Sequence, residues 1–155
     1  MIKGVCNRVV EWQLKTSKHY ADPFNEIELY AFITGNDQEY KVPAFYMGDN
    51  RWGFRFASST PGEYTAISFC SDHNDSSLHG VKTEIRIDPY TGDNPLYMHG
   101  RIKVSDDKKT FKHEDNRPFF WLGDTWWMAL TKRLDYNSDF KTLTADRVEK
   151  GFSVV

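Results

Sequence analysis

An acidic residue followed by two tryptophans is the part of this sequence whose side chains could bind a ligand through hydrogen bonds and apolar contacts. Asp124 comes directly after the apolar run Phe119–Leu122, and Trp126 and Trp127 follow it closely. A carboxylate accepts hydrogen bonds from hydroxyl groups, and aromatic rings form the apolar walls of ligand pockets. We therefore predict that Asp124, Trp126 and Trp127 contact a substrate. The alternatives are that Asp124 caps a helix beginning at Thr125 and that both tryptophans pack in the core.

A second group of chemically capable residues lies in one loop of the chain, namely Asp72, His73, Asp75 and His79. Their spacing matches no standard zinc or calcium pattern, so we interpret them as a solvated loop and predict no metal site. The sequence also lacks the glycine-rich phosphate and dinucleotide motifs and the zinc-protease and serine-hydrolase motifs. We accordingly expect no cofactor.

The elements that would position Asp124 read as a β-α-β unit. Phe119–Leu122 is apolar at every position, which predicts a strand buried on both faces of a parallel sheet. A short helical run over Trp126–Arg133 follows it, and Asn137–Asp139 offers an N-cap for a helix ending at Lys150. Phe152–Val155 begins another apolar strand. Because a complete β/α barrel takes about 250 residues, we expect this unit to belong to a truncated barrel.

The preceding part of the chain, from Arg8 to Ile87, has a different pattern. Short alternating stretches are interrupted by turn residues about every ten positions, which predicts an immunoglobulin-like antiparallel β-sandwich. In the clearest strand, Trp52, Phe54 and Phe56 share one face and must lie in the core. The chain is therefore predicted to be mainly β.

Several single residues refine this prediction. Pro43 would deny a ladder hydrogen bond and so indicates an edge strand or a bulge. Pro61–Tyr64 resembles the tyrosine corner of such sandwiches, although Cys70 is too distant for the usual spacing. Cys6 and Cys70 form no metal or redox motif, and we interpret both as buried thiols, with a disulfide left open for a secreted protein.

The turn-rich segment Pro89–Pro95 is the best candidate for a linker between two domains. We predict a β-sandwich domain over residues 1–100. Residues 101–155 would form a hairpin, made by Arg101–Val104 and Thr110–His113, and the start of an incomplete β/α-barrel domain.

Specific segments carry a resemblance to a known family. Pro118–Trp127, Leu143–Arg147 and Lys150–Val155 look like the opening of the catalytic barrel of the apiosidase-like glycoside hydrolases. Four upstream segments resemble the small β-sandwich domain that precedes that barrel: Tyr20–Phe24, Val42–Tyr46, Pro61–Tyr64 and Gly92–Tyr97. Together these segments extend the resemblance over nearly the whole chain.

The resemblance implies a function for a longer enzyme. Complete members of the family continue through a whole barrel, hydrolyse glycosidic bonds and in some cases remove apiose-linked units from pectic polysaccharide. Glycoside hydrolysis uses two carboxyl groups about 5–5.5 Å apart in retaining enzymes, and in the family these groups lie on later strands. We therefore expect this chain to be a non-catalytic N-terminal fragment with no catalytic residue, in which the sandwich supports the barrel and Asp124 faces the substrate pocket.

Two other functions remain open from the sequence. The sandwich could itself be a carbohydrate-binding or interaction module that presents exposed aromatic residues such as Tyr20, Tyr46 or Tyr90. It could also have no ligand. The five Trp, eight Tyr and eleven Phe residues suit either sugar stacking or a β-sheet core.

Charge and hydrophobicity limit the partners. A net charge of -2 provides no basic field for nucleic acid, and no apolar run approaches the ~20 residues of a membrane helix. No signal-peptide core is present, so the chain as given is expected in the cytoplasm, with a secreted or periplasmic longer enzyme left open. Carbohydrate, through the complete enzyme, is the expected partner. Unpaired barrel strands would also promote self-association.

Overall fold

The computed structural model describes all residues from Met1 to Val155. The chain divides into two compact units, an N-terminal unit over Met1–Arg101 and a C-terminal unit over Ile102–Val155. The N-terminal unit is built mainly from β-strands, and the C-terminal unit combines three short strands with a helical region. No helix in either unit is long and apolar enough to cross a membrane.

Eight strands of the N-terminal unit form two sheets. They are β1 (Ile2–Val5), β2 (Val10–Lys15), β3 (Leu29–Gly35), β4 (Gln38–Pro43), β5 (Phe45–Gly48), β6 (Arg51–Phe56), β7 (Gly62–Cys70) and β8 (Lys82–Asp88). One sheet has the strand order β1-β8-β7-β3-β4 and the other has the order β2-β6-β5. All pairs are antiparallel except β1 with β8, and the predicted β-sandwich is confirmed.

Alternating side chains from both sheets make the core of this unit. Trp52, Phe54 and Phe56 of β6 are buried, as their alternation predicts. The opposing sheet contributes the buried residues Leu29, Ala31, Ile33, Tyr64, Ala66, Ile85 and Ile87. Burying one large apolar side chain stabilises the folded state by about 1.5–3 kcal/mol, so this core provides the main driving force for folding.

A buried tyrosine closes one end of the sandwich. The hydroxyl of Tyr64 donates a hydrogen bond to the carbonyl of Thr60 at 2.7 Å and accepts one from the Asn36 amide at 2.7 Å. A phenol that bonds the backbone a few residues upstream is the defining contact of a tyrosine corner. The Pro61–Tyr64 turn therefore has this geometry although Cys70 lies too far away for the usual sequence spacing.

Strand β1 was absent from the pattern-based prediction. Its residues Ile2–Val5 pair in parallel with β8, and four residues are too few to show a clear alternation. Gly4 lies so close to Val10 that an added Cβ would stand 2.2 Å from a Val10 methyl group. Pro43 ends β4, which is an edge strand as expected.

The segment after β8 is held against the same unit. The Asn7 amide donates to the Tyr97 carbonyl at 2.7 Å, and the Arg8 guanidinium lies 5.6 Å from the Tyr97 ring centre. Residues Pro95–Met98 form the single-turn helix α1, which Asn94 caps. The predicted linker at Pro89–Pro95 is thus followed by an anchored turn.

The C-terminal unit begins with a small antiparallel sheet. Strands β9 (Ile102–Val104) and β10 (Phe111–His113) form the predicted hairpin, and β11 (Pro118–Phe119) adds to the other side of β10. This sheet corrects the prediction for Phe119–Leu122, because only Phe119 is buried and its strand pairs antiparallel. Phe120 is 79% exposed and Trp121 is 52% exposed. The Trp121 ring contacts Phe111 and Phe119 at 5.1 and 6.1 Å between ring centres, but one side of it stays open, so the expected two-sided burial is not found.

The helical region of this unit also differs from the prediction. Trp126–Arg133 forms successive turns instead of a helix. Asp135, instead of Asn137–Asp139, provides the cap by accepting hydrogen bonds from two backbone N–H groups. A π-helical turn over Tyr136–Phe140 follows, and helix α2 spans Lys141–Glu149.

A glycine ends α2 and turns the chain back. Gly151 has a φ of +80°, and its N–H donates to the carbonyl of Val148 at 3.0 Å. The N–H of Phe152 donates to the carbonyl of Arg147 at 2.9 Å, which completes a Schellman motif. The return brings Val154 beside Gly123 in an isolated parallel bridge.

Candidate functional site

The backbone around Asp124 is fixed by the returning segment after α2. Gly123 and Val154 form the parallel bridge, and the N–H of Asp124 donates to the carbonyl of Val154 at 3.2 Å. Asp124 therefore lies at the end of the first extended segment of a β-α-β arrangement. In barrel enzymes, binding and catalytic groups lie at the C-terminal ends of strands.

The carboxylate of Asp124 has two partners within the C-terminal unit. Its Oδ2 atom accepts a hydrogen bond from Nε of Arg147 at 2.7 Å, and its Oδ1 atom accepts one from the backbone N–H of Thr125 at 2.8 Å. No regular helix begins at Thr125, so the carboxylate does not act as a helix cap. A carboxylate offers about four acceptor positions, and two of them remain for a ligand.

Electrostatics keep this carboxyl group ionised. The Arg147 guanidinium is the main cause that lowers the pKa of Asp124, and the Thr125 N–H lowers it further. Trp126 adds to the lowering, although its buried indole N–H forms no well-shaped hydrogen bond. The same pairing with Asp124 raises the pKa of Arg147.

A cavity of about 510 Å³ opens beside Asp124. Its walls are mostly apolar and are formed by Asp124, Thr125, Trp126, Ala129, Leu130, Phe140, Thr144 and Val155. Binding pockets for small molecules fall in this size range and combine apolar walls with a few polar groups. The cavity therefore has the size and lining of a pocket for a small molecule.

The structure places two of the three predicted residues at the cavity and the third outside it. Asp124 and Trp126 line the cavity, and the ring of Trp126 packs edge-on against Phe140 at 5.4 Å between ring centres. Trp127 is 85% exposed and is not among the lining residues. The Trp127 side chain therefore lies in solvent, outside both the cavity and the core.

Sequence reasoning missed the contributions of the helical region. Phe140 and Thr144 were not among the predicted site residues, and both line the cavity. Arg147 was noticed only within a family-like segment, yet it contacts Asp124. The spacing of Phe140, Thr144 and Arg147 by four and three residues places them on one helix face, which is the signal that could have grouped them.

The loop containing the aspartates and histidines is a structural polar cluster in the N-terminal unit. Asp75 is only 3% exposed, and its Oδ2 atom accepts hydrogen bonds from Thr16 at 2.6 Å and from Tyr20 at 2.9 Å. Lys18 pairs with Asp72 at 2.6 Å and lowers the pKa of that carboxyl group. No group of three or more potential ligands is arranged to hold a metal ion. Because Asp75 is buried and hydrogen-bonded, the interpretation of this loop as solvated is wrong for that residue.

The aromatic residues suggested for a sugar-binding sandwich pack inward. Tyr20, Tyr46 and Tyr90 are half-buried against the hydrophobic core. Tyr20 and Tyr46 both contact the ring of Trp52, at 5.9 and 5.0 Å between ring centres. These contacts explain the tyrosines as core residues and leave no exposed row of the three rings.

The fold and the pocket define a β-sandwich unit followed by a smaller unit of short strands and one helix with a candidate ligand site. Comparison with family models agrees with this division. Residues 6–69 match a family described as a domain of unknown function, DUF5060. Residues 105–155 match the family described as "Apiosidase-like, catalytic domain", which confirms the resemblance predicted from the sequence.

A solved structure supports the fold. The chain is similar to a protein from Bacteroides vulgatus ATCC 8482 that is provisionally assigned as a glycoside hydrolase, with a TM-score of 0.69 and 24% sequence identity. The match covers 86% of this chain and 24% of that chain, so this chain spans about a quarter of the length of its structural relative. No curated protein matches the chain.

Proposed function

We propose that this chain is the N-terminal part of a glycoside hydrolase of the apiosidase-like type, and that its cavity contacts the sugar. One observation carries the proposal: Asp124 and Trp126 line a mostly apolar cavity within the segment that matches the apiosidase-like catalytic domain. The name of the structural relative is consistent with the same class of enzyme.

The chemistry of the cavity suits a sugar. The free acceptor positions of Asp124 would receive hydrogen bonds from ring hydroxyl groups. Trp126, Phe140 and Leu130 would contact the C–H faces of the ring, which are apolar. Trp127 lies outside this proposed contact surface.

Asp124 is suited to binding and not to acid catalysis. A general acid in glycoside hydrolysis needs a raised pKa, whereas Arg147 lowers the pKa of Asp124. The resemblance implies that the acid and nucleophile belong to later barrel strands. We therefore propose that the chain alone binds glycosides without hydrolysing them, and that the sandwich acts as a structural support.

Binding is tested by titrating the full chain with oligosaccharides released from apiose-bearing pectic polysaccharide and measuring affinity by NMR. We expect Asp124→Asn and Trp126→Ala to weaken binding by about tenfold or more, since each loses a direct contact. The matched controls are Asp106→Asn and Trp127→Ala, because both side chains are exposed in the same unit. Equal losses in the variants and their controls would contradict the proposal.

Hydrolysis is tested separately with the same oligosaccharides by measuring released reducing ends. We expect no turnover by the chain alone. Turnover that disappears in Asp124→Asn would contradict the assignment of Asp124 as a binding residue.

A further inference from the structure

Arg147 is not among the residues that line the cavity, yet it reaches the acidic group of the cavity from α2. Its Nε atom lies 2.7 Å from Oδ2 of Asp124, and the two side chains are 28% and 31% exposed. Hydrogen bonds between charged partners are stronger and more directional than neutral ones. The contact therefore restrains the orientation of the Asp124 carboxylate.

Arg147 is itself held from three sides. Its Nη1 atom lies 2.5 Å from the carboxylate of Asp146, which also binds Lys150 at 2.6 Å. Its guanidinium carbon lies 5.2 Å from the centre of the Phe152 ring. Its backbone carbonyl accepts the Phe152 N–H that ends the helix. Because these contacts already restrain the Arg147 side chain, it loses less additional conformational entropy when it binds Asp124.

The geometry also selects which part of Asp124 is left for a ligand. Arg147 occupies one position on Oδ2, and the Thr125 N–H occupies one position on Oδ1. Both oxygens retain one further acceptor position, and an ionised carboxylate has no hydrogen to donate. The free side of Asp124 therefore suits a ligand that presents hydroxyl donors.

We propose that Arg147 is a positioning residue that holds the Asp124 carboxylate as a hydrogen-bond acceptor for ligand hydroxyl groups. This inference rests on the proposed sugar-binding function. Arg147 itself would not touch the ligand. Its effect would be to orient the Asp124 carboxylate, which would touch the ligand. Loss of Arg147 should free the carboxylate to rotate and make it easier to protonate.

The test compares the full chain with Arg147→Gln, Arg147→Lys and the control Lys150→Gln. The carboxyl carbon of Asp124 is followed by NMR as pH is lowered. The charged groups around this site are Arg147, Asp146 and Lys150, and Lys150 contacts only Asp146. We expect the pKa of Asp124 to rise in Arg147→Gln, to rise less in Arg147→Lys and to stay unchanged in Lys150→Gln.

The second readout is the affinity for the apiose-bearing pectic oligosaccharides at pH 7. We expect Arg147→Gln to bind about tenfold more weakly and Lys150→Gln to bind as the unaltered chain does. An unchanged Asp124 titration in a folded Arg147→Gln variant would overturn the inference. So would an equal change in Lys150→Gln.

The two hypotheses fail in different ways. If the unaltered chain binds no oligosaccharide but Arg147→Gln shifts the Asp124 titration, the sugar site is contradicted and the link between Arg147 and Asp124 is supported. If the oligosaccharide binds but the titration does not shift, the sugar site is supported and the positioning role is overturned. Should Arg147→Gln fail to fold, Arg147→Lys decides, because an unshifted Asp124 titration in that variant contradicts the inference.

Discussion

Asp124 shows how one charged neighbour determines what a carboxyl group can do. Its position at the end of an extended segment would also suit an acid catalyst, but the guanidinium of Arg147 keeps it ionised. The group is therefore an acceptor over the whole physiological pH range. A catalytic acid would need a carboxyl group without a neighbouring cation that lowers its pKa.

The Asp124–Arg147 pair has a predictable pH dependence. Because the folded state lowers the pKa of Asp124, the pair stabilises the fold above the ordinary aspartate pKa and loses this contribution as pH falls through the lowered value. We expect the difference in unfolding free energy between the unaltered chain and Arg147→Gln to be constant between about pH 7 and 5. It should decrease below that range, as measured by denaturant unfolding. A difference that grows on acidification would contradict this sign.

The hydroxyl of Tyr64 provides a prediction for the sandwich. Tyr64→Phe leaves the Thr60 carbonyl and the Asn36 amide without their buried partner. We expect the unfolding free energy to decrease by about 1–3 kcal/mol in urea denaturation. Tyr136→Phe is the control because Tyr136 is largely exposed, and it should change stability by less than about 0.5 kcal/mol.

At the scale of elements, the loop between β7 and β8 is fastened by Asp75. This buried carboxylate accepts hydrogen bonds from Thr16, Tyr20 and the backbone N–H of Ser77. The contacts join the loop to the segment after β2 and explain why an acidic residue is buried without a cation. Its role is structural and belongs to the sandwich alone.

Replacing Asp75 is expected to destabilise the folded state. Asp75→Ala should lower the unfolding free energy by about 2–3 kcal/mol, because the Thr16 hydroxyl and the Ser77 N–H would lose their acceptor while Tyr20 keeps only Asp72. The exposed Asp93→Ala serves as the control and should be close to neutral. Equal stability of the two variants in thermal and urea unfolding would show that Asp75 does not hold the loop.

The accuracy of sequence reasoning differed between elements for physical reasons. Strand β6 was predictable because a half-buried strand has a side-chain period of two, which Trp52, Phe54 and Phe56 follow. The apolar run at Phe119–Leu122 was not, since periodicity cannot tell what will cover a hydrophobic strand. The contact of Arg147 with Asp124 joins residues 23 positions apart and depends on how α2 returns to Gly123.

At the scale of the whole molecule, the C-terminal unit exposes an unusual amount of apolar surface. Its most exposed large side chains are Leu130, Trp127, Phe120, Val155 and Val148. Exposed apolar surface of this kind commonly marks an interaction site. In the proposed longer enzyme, further barrel elements would cover part of it.

This surface gives a prediction about association. We expect the chain as given to self-associate with rising concentration, measured as mass by light scattering after size exclusion. Phe120→Ser should shift the distribution toward the monomer, because this ring is 79% exposed. A monodisperse monomer at all concentrations for the unaltered chain would contradict this proposal.

The most direct test of the central claim follows the indole N–H signals of the two adjacent tryptophans during titration with apiose-bearing pectic oligosaccharide. Trp126 lines the cavity and Trp127 is exposed beside it, so each serves as the reference for the other. A saturable shift of the Trp126 signal with little change in Trp127 is the predicted result. An unmoved Trp126 signal, or equal shifts of both signals, would contradict a sugar site at Asp124.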